Sequence, residues 1–346
     1  MDVISPQFNE AQIYKKPGYK KWWFYILFVI FISVGYFTFR LGIIYNTIVV
    51  GNSTGLWSDI KNKIFGYEKP LAADPFPMPA PESGRLDVLI LGLRGYDKQS
   101  IEEAGGLLTD TMLVASLDKT TKKTVLLSIP RDLYVDMLGV KGKINEIYER
   151  GLAKNNAVEF SKEFISRLTG IYIDKVMVFD FRAFQQVVDT LGGIDIYLAK
   201  PFNESKQFGN DFSLPAGNNH LTGGQALYFA RSRFSTSDFD RALRQQQIIE
   251  AIKIKAVELG YLSNPLKATD LLAKIKDNIK TDFQIWDIGD ALAIGKSFNK
   301  EKINNVIMNT DNILYETKTA KKEYILKPKG DNYKIIKQFF TESLNN

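Results

Sequence analysis

The sequence predicts an α/β fold: a layered domain with a central mixed β-sheet flanked by helices, preceded by a single N-terminal transmembrane helix. Three observations carry this. Short apolar runs of strand length alternate with longer stretches of helical period. An uncharged run of 18 residues lies near the N-terminus, and a proline-rich segment separates it from the rest. With 346 residues, 45% apolar and 24% charged, the chain has the composition of a folded protein and the length for one large domain.

Residues 1–21 read as a cytoplasmic tail carrying Lys15, Lys16, Lys20 and Lys21. Residues 22–39, WWFYILFVIFISVGYFTF, follow as the transmembrane helix, about 27 Å long and close to the thickness of a hydrocarbon core. Trp22 and Trp23 take the interfacial position, and the lysines before them place the N-terminus in the cytoplasm. The run exceeds the apolar part of a signal peptide, and no small-x-small cleavage pattern follows it. The expectation is a single-pass protein of the cell membrane with an extracytoplasmic body. Residues 40–85 form a stalk and linker, in which five of the twelve prolines fall within 70–81 and favour an extended spacer. Residues 86–346 are the extracytoplasmic domain.

That domain opens with LDVLILGL (86–93), a run apolar enough for a strand covered on both faces. TMLVASLD (111–118) and KTVLLSIP (123–130) are two further strands joined by a polar turn, and so form a hairpin. If the turn centres near residue 120, Asp110 lies opposite Pro130 and Arg131. A first strand parallel to 123–130 delivers Arg94 to the same sheet edge. Residues 157–168 have the pattern of an amphipathic helix. The strand DKVMVFDF, the helix RAFQQVVDTLG with its glycine stop, and the strand IDIYLAK come next. TGGQALYFARSRF reads as loop and helix, DFDRALRQQQIIEAIKIKAVEL as a long helix, and NPLKATDLLAKIKDNI as a third.

Charge and residue usage exclude several classes of function. Of the net +6, residues 1–50 supply +3, so the body is too weakly basic for a nucleic-acid-binding face. The absence of cysteine removes disulfides, thiolate metal sites and a cysteine nucleophile. With His220 the only histidine, a Ser-His-Asp triad and multi-histidine metal sites are also poor readings.

One stretch stands apart. FARSRFSTSDFDRALRQQQ (229–247) holds Arg231, Arg233, Arg241 and Arg244 and no lysine. On the long helix, Arg241, Arg244 and Gln245 fall at i, i+3 and i+4 and project from neighbouring points, with Asp238 placed to cap the helix before them. A helix N-terminus already favours an anion, and the arginine fork matches two phosphate oxygens. The plainer reading is a solvated helix face with Asp238 and Asp240 paired to the arginines. No nucleotide-binding glycine motif competes for the phosphate reading.

The stretches LLTDTMLVASLDKTTKKTVLLSIPRDLYVDM, KINEIYERG, VVDTLGGIDIYL and LPAGNNHLTGGQALYFARSRF followed by SDFDRALRQQQII carry a likeness. In this order they resemble the LytR-CpsA-Psr family of membrane-anchored cell-wall proteins, over roughly residues 86–255. The resemblance implies an extracytoplasmic phosphotransferase. It takes a glycopolymer from a polyprenyl-diphosphate carrier and attaches it to peptidoglycan through a phosphodiester bond, with Mg²⁺ or Mn²⁺. It also implies that Arg131, Arg233 and Arg241 bind the diphosphate, that Gln245 supports them, and that Asp110 holds the metal. Arg231, Arg244 and Arg94 join them as substrate-binding candidates. The family places an aspartate just after its first strand, where this chain has Gly92, Leu93 and Arg94. Asp97, Glu102 and Glu103 are the substitutes within reach for a second metal ligand. Residues 157–173 and 245–262 offer apolar walls for the lipid. Two alternatives stay open: a tethered receptor for lipid diphosphate or anionic polymer without turnover, and a polyprenyl-diphosphate hydrolase.

Overall fold

The structure is a computed structural model that describes residues 22–48, 76–95, 107–205, 211–232, 238–261, 263–283 and 303–345. Asp97, Glu102, Glu103 and Arg233 lie outside them. The chain divides into two compact units, Met1–Ile43 and Ile44–Asn346. Helix α1 (Trp22–Ile48) covers the expected transmembrane run and continues past it. Its side chains are described from Ser33 except at Asn46, and among the described residues no helix is long and apolar enough to cross a membrane.

The second unit starts its sheet with β1 (Arg85–Leu93), β2 (Thr109–Asp118) and β3 (Thr124–Ser128). A small hairpin follows, β4 (Tyr134–Met137) and β5 (Val140–Lys143), then α2 (Ile147–Leu152) and α3 (Ala157–Thr169). Next come β6 (Lys175–Asp180), α4 (Phe181–Thr190), β7 (Ile194–Leu198), β8 (Phe202–Glu204), β9 (Phe212–Leu214) and β10 (Gly217–Leu221). Three helices, α5 (Gly223–Arg231), α6 (Asp238–Glu258) and α7 (Pro265–Ile275), lead to β11 (Ile279–Thr281). The chain closes with β12 (Ile303–Ile307), β13 (Leu314–Lys318), β14 (Tyr324–Pro328) and α8 (Lys334–Asn345).

Six strands form the main sheet in the order β11-β6-β1-β2-β3-β12. The β1–β6 and β3–β12 pairs are parallel and the other three antiparallel, so the sheet is mixed as expected. The β2–β3 register pairs Leu113 with Ser128, within a residue of the expected one. The third strand stops at Ser128, short of the expected Pro130, because proline has no N–H to continue the ladder. The expected strand at IDIYLAK is β7, which pairs with β10 in a separate two-stranded sheet. Its alternating burial, Ile194 and Ile196 inward, Asp195 and Tyr197 outward, suits a strand covered on one face only.

Strand alternation sends side chains to two layers. Leu89, Leu91 and Leu93 of β1 and Val176 and Val178 of β6 face the larger core, which α3 covers with Phe164, Ile165 and Leu168 and α8 with Ile336 and Phe340. The opposite sheet face lies under α4 and α6 and is not filled. Helix ends follow their local chemistry. Gly170 closes α3 at φ 74°, and the Asp180 carboxylate accepts from Ala183 N at the start of α4. Thr222 starts α5 with a capping box: Gln225 N donates to its hydroxyl, and Thr222 N donates to Gln225 Oε1. Thr222→Ala is expected to cost about 1 kcal/mol in chemical denaturation, as loss of a threonine cap does, with unchanged cooperativity.

Candidate active site

On the face opposite the large core lies a cavity of about 490 Å³. It crosses the sheet rather than following a strand. Thr111 and Asp110 come from β2, Ile90 and Gly92 from β1, Met177 and Phe179 from β6, and Ile279 from β11. Four adjacent strands at the usual spacing make this floor roughly 14 Å long. The roof is Phe184 and Val187 of α4 with Ile248, Ile249 and Ile252 of α6.

Polar groups gather at the β2 end. Arg131 leaves the end of β3 and its Nη1 donates to Asp110 Oδ1 at 2.6 Å. Its Nε lies 3.6 Å from Asp132, whose other oxygen accepts from Lys143 Nζ at 2.5 Å. This alternating chain of charges fixes the guanidinium from behind. Asp110 Oδ2 accepts no hydrogen bond among the described residues. Arg231, at the end of α5, has its guanidinium carbon over the Phe181 ring, 4.2 Å from the centroid. Burial pulls its pKa below the usual arginine value; Asp110 opposes that shift and Arg94 adds to it. Arg241 on α6 is only 6% exposed and, with Gln245 one turn later, borders the same cavity. Asp110, Arg131, Arg241 and Gln245 also border a second, much smaller cavity beside Ser128 and Phe239.

The structure thus brings Asp110, Arg131, Arg231, Arg241 and Gln245 together. Arg94 follows β1 as an exposed residue, close enough to act on Arg231 but outside the cavity lining. Arg244 is a correction to the sequence reading. It is 7% exposed and turns away from the cavity: Nε donates to Phe229 O at 3.0 Å and Nη2 to Ser232 O. Its guanidinium also stands over the Phe202 and Phe229 rings, and burial pushes its pKa down to about 10. Arg244 therefore closes the C-terminal end of α5 and does not reach a ligand. The wall expected from residues 157–173 is a second correction, because α3 belongs to the large core on the other face. The wall expected on α6 is present. His220 is occupied by Asp195 at 2.7 Å and by Gly192 O at 3.1 Å.

Sequence reasoning singled out Gln245 but missed Gln246 and Gln247 beside it. Three consecutive residues on a helix point in three directions, and each here serves a different partner. Gln245 Nε2 reaches Ala230 O at the end of α5, and Gln247 Nε2 reaches Tyr197 O on β7. Gln246 Nε2 lies within bonding distance of Leu126 O, Ser128 Oγ and Val306 O, straddling β3 and β12. The run QQQ was the available signal, since three adjacent amides on a half-buried helix need buried acceptors.

The likeness to known proteins runs through the whole body. The LytR_cpsA_psr family model matches residues 57–338. A polyisoprenyl-teichoic acid–peptidoglycan teichoic acid transferase, TagV of Bacillus subtilis, is 28% identical over 302 residues, covering 85% of this chain and 70% of that protein. A transferase of the same description, TagU of Bacillus cereus, is 30% identical over 264 residues, 72% of this chain and 80% of that one. The crystal structure of B. subtilis TagV superposes with a TM-score of 0.57 at 26% identity, over 76% of this chain and 98% of that chain. With its sheet and sequence both matched over most of their length, the chain belongs to the LytR-CpsA-Psr family.

Proposed function

We propose that the protein is a phosphotransferase that moves a glycopolymer from a polyprenyl-diphosphate carrier to peptidoglycan through a phosphodiester bond. The observation that carries this reading is a single cavity with three arginines, Gln245 and Asp110 at one end and apolar side chains along the rest. Only an amphiphile with a doubly charged phosphate headgroup and a hydrocarbon tail satisfies both ends together. The relatives are named as transferases of teichoic acid from a polyisoprenyl carrier to peptidoglycan, which supplies the hydrocarbon tail of this reading.

In this reading an acceptor hydroxyl attacks the phosphorus that bears the glycopolymer. The bond to the lipid phosphate breaks, and polyprenyl phosphate departs along the apolar wall. In-line displacement of this kind asks the protein chiefly for positioning and charge neutralisation. Arg131 is held for it by Asp110 and Asp132, Arg231 by its ring contact, and Arg241 by burial. Arg94, exposed nearby, lends charge from outside the lining.

A divalent cation fits this site if the substrate shares in holding it. Among the described residues no group of three or more carboxylates and histidines stands ready. Asp110, with Oδ1 held by Arg131 and Oδ2 accepting no hydrogen bond among the described residues, supplies one carboxylate, and Mg²⁺ commonly binds one or two carboxylates plus phosphate oxygens. Bound there, Mg²⁺ or Mn²⁺ neutralises charge on the phosphates. Chelation is expected to stop turnover and Mn²⁺ to restore it. Asp110→Asn is expected to raise the half-saturating Mg²⁺ concentration at least about tenfold, the loss of one charge-assisted contact; an unchanged titration removes Asp110 from the metal site.

Helix α1 anchors the chain in the cell membrane, with residues 1–21 in the cytoplasm and the body outside, as the lysines before Trp22 favour. Protease added to intact cells stripped of wall should digest the body and spare an N-terminal tag. The assay for function itself uses the full chain in detergent with a polyprenyl-diphosphate-linked saccharide and peptidoglycan. Release of polyprenyl phosphate that requires the acceptor supports the transferase. Release without it favours a hydrolase, and binding without release a receptor.

A further inference from the structure

The apolar end of the cavity is not walled by one layer alone. Met177, Phe179, Ala183, Val187, Ile275 and Ile279 all line it. The same six belong to an apolar cluster whose other members include Ile44 and Ile48, on the last turns of α1. Ile44 is 8% exposed and Ile48 5% exposed, so these turns are packed against that cluster. The helix end is also fixed by a polar contact, since Lys280 Nζ donates to Thr47 O at 2.8 Å. That bond sets a cation at the C-terminal end of the helix, where the dipole favours one. Lys280 sits on β11, one residue beyond Ile279 of the cavity floor and at the edge of the sheet.

We propose that the end of α1 is the outer support of the lipid site: Ile44 and Ile48, pinned by Lys280, hold the apolar wall in place and thereby set affinity for the prenyl tail. The inference rests on the proposed lipid-diphosphate reading of the cavity. These are positioning residues, acting through Ala183, Ile275 and Ile279, at the opposite end of the floor from Asp110 and Arg131. Weaker support at that end loosens the grip on the tail equally before and during phosphoryl transfer. A uniform loss of binding of this sort raises KM and leaves kcat alone. It also spares any donor whose tail is too short to reach β11.

The test uses the full-length chain in detergent and two donors with the same saccharide diphosphate, one on a long polyprenyl chain and one on a single prenyl unit. Ile44→Ala/Ile48→Ala is expected to raise KM for the long donor about 5- to 20-fold, the range for removing a few buried methyl and methylene groups, while kcat and KM for the short donor stay within about twofold, since that donor makes no use of the supported wall. Lys280→Met, which removes only the bond to Thr47 O, should shift the same parameter by about 2- to 5-fold, the size of one net hydrogen bond. Ile48→Leu should behave as the parent. Equal losses for both donors, or a fall in kcat alone, overturn the proposal. Direct binding of polyprenyl phosphate, with no saccharide, separates the support role from the transferase activity. If no donor turns over but the double variant still weakens lipid binding, the support role stands and the transferase reading falls. If the double variant does not fold, Lys280→Met decides, and an unchanged KM for the long donor overturns the proposal.

Discussion

Replacing Arg241 with alanine is expected to lower kcat about 10²- to 10³-fold, the cost of removing one preorganised donor from a site where charge develops. Arg241 is almost fully buried, borders both cavities, and projects from the same side of α6 as Gln245, one turn on. A guanidinium in this place is shielded from solvent and borders the cavity beside Arg131 and Arg231, so its removal takes away one of the three cations that share the neutralisation. Arg241→Lys should recover a small part of the loss, because the charge returns without the planar fork. Circular dichroism and the unfolding midpoint should remain near those of the parent. A kcat/KM within about threefold of the parent for the alanine variant, less than one net hydrogen bond, would reject the assigned role.

Arg244, three residues away, should give the opposite pattern. Arg244→Ala is expected to destabilise the domain by about 2–4 kcal/mol, from the loss of charge-assisted bonds to two carbonyls and of stem packing. Those carbonyls, Phe229 O and Ser232 O, lie where α5 ends and Arg231 begins its approach to the cavity. Urea denaturation reads the stability directly. At temperatures where the variant is folded, its activity per folded molecule should fall less than that of Arg241→Ala. A large kcat loss with full stability would return Arg244 to the substrate.

That contrast also marks what a sequence can and cannot disclose. The polar turn and flanking apolar runs were enough to place Asp110 beside Arg131, because antiparallel register is fixed by the turn. Helical spacing likewise put Arg241 and Gln245 on one surface. The same spacing grouped Arg244 with them, since i+3 and i+4 neighbours share a face only to within a broad arc. Which edge of that arc meets α5 is decided by packing, and no local pattern encodes it. The period at 157–168 predicts the helix found at Ala157–Thr169, but its apolar stripe says only that something covers it, not which side of the sheet it takes. Strands β12 to β14 passed unnoticed because INNVI and LYETK carry too few apolar residues in alternation to stand out. Arg131 shows the positive case: proline just before it ends the ladder, so the guanidinium is released where the strand stops.

The transverse course of the cavity constrains how its bore can change. Because four strands each contribute only one or two side chains to the floor, no single segment dictates the calibre. Widening it would take coordinated change in several strands whose opposite faces are committed to the large core. Narrowing needs far less: a side chain at Gly92 would start 3.0 Å from the Thr111 Cβ and 3.5 Å from the Phe179 ring. Descendants of this sequence can therefore become choosier about bulky tails in one mutational step, whereas tolerance of thicker ones must be acquired slowly.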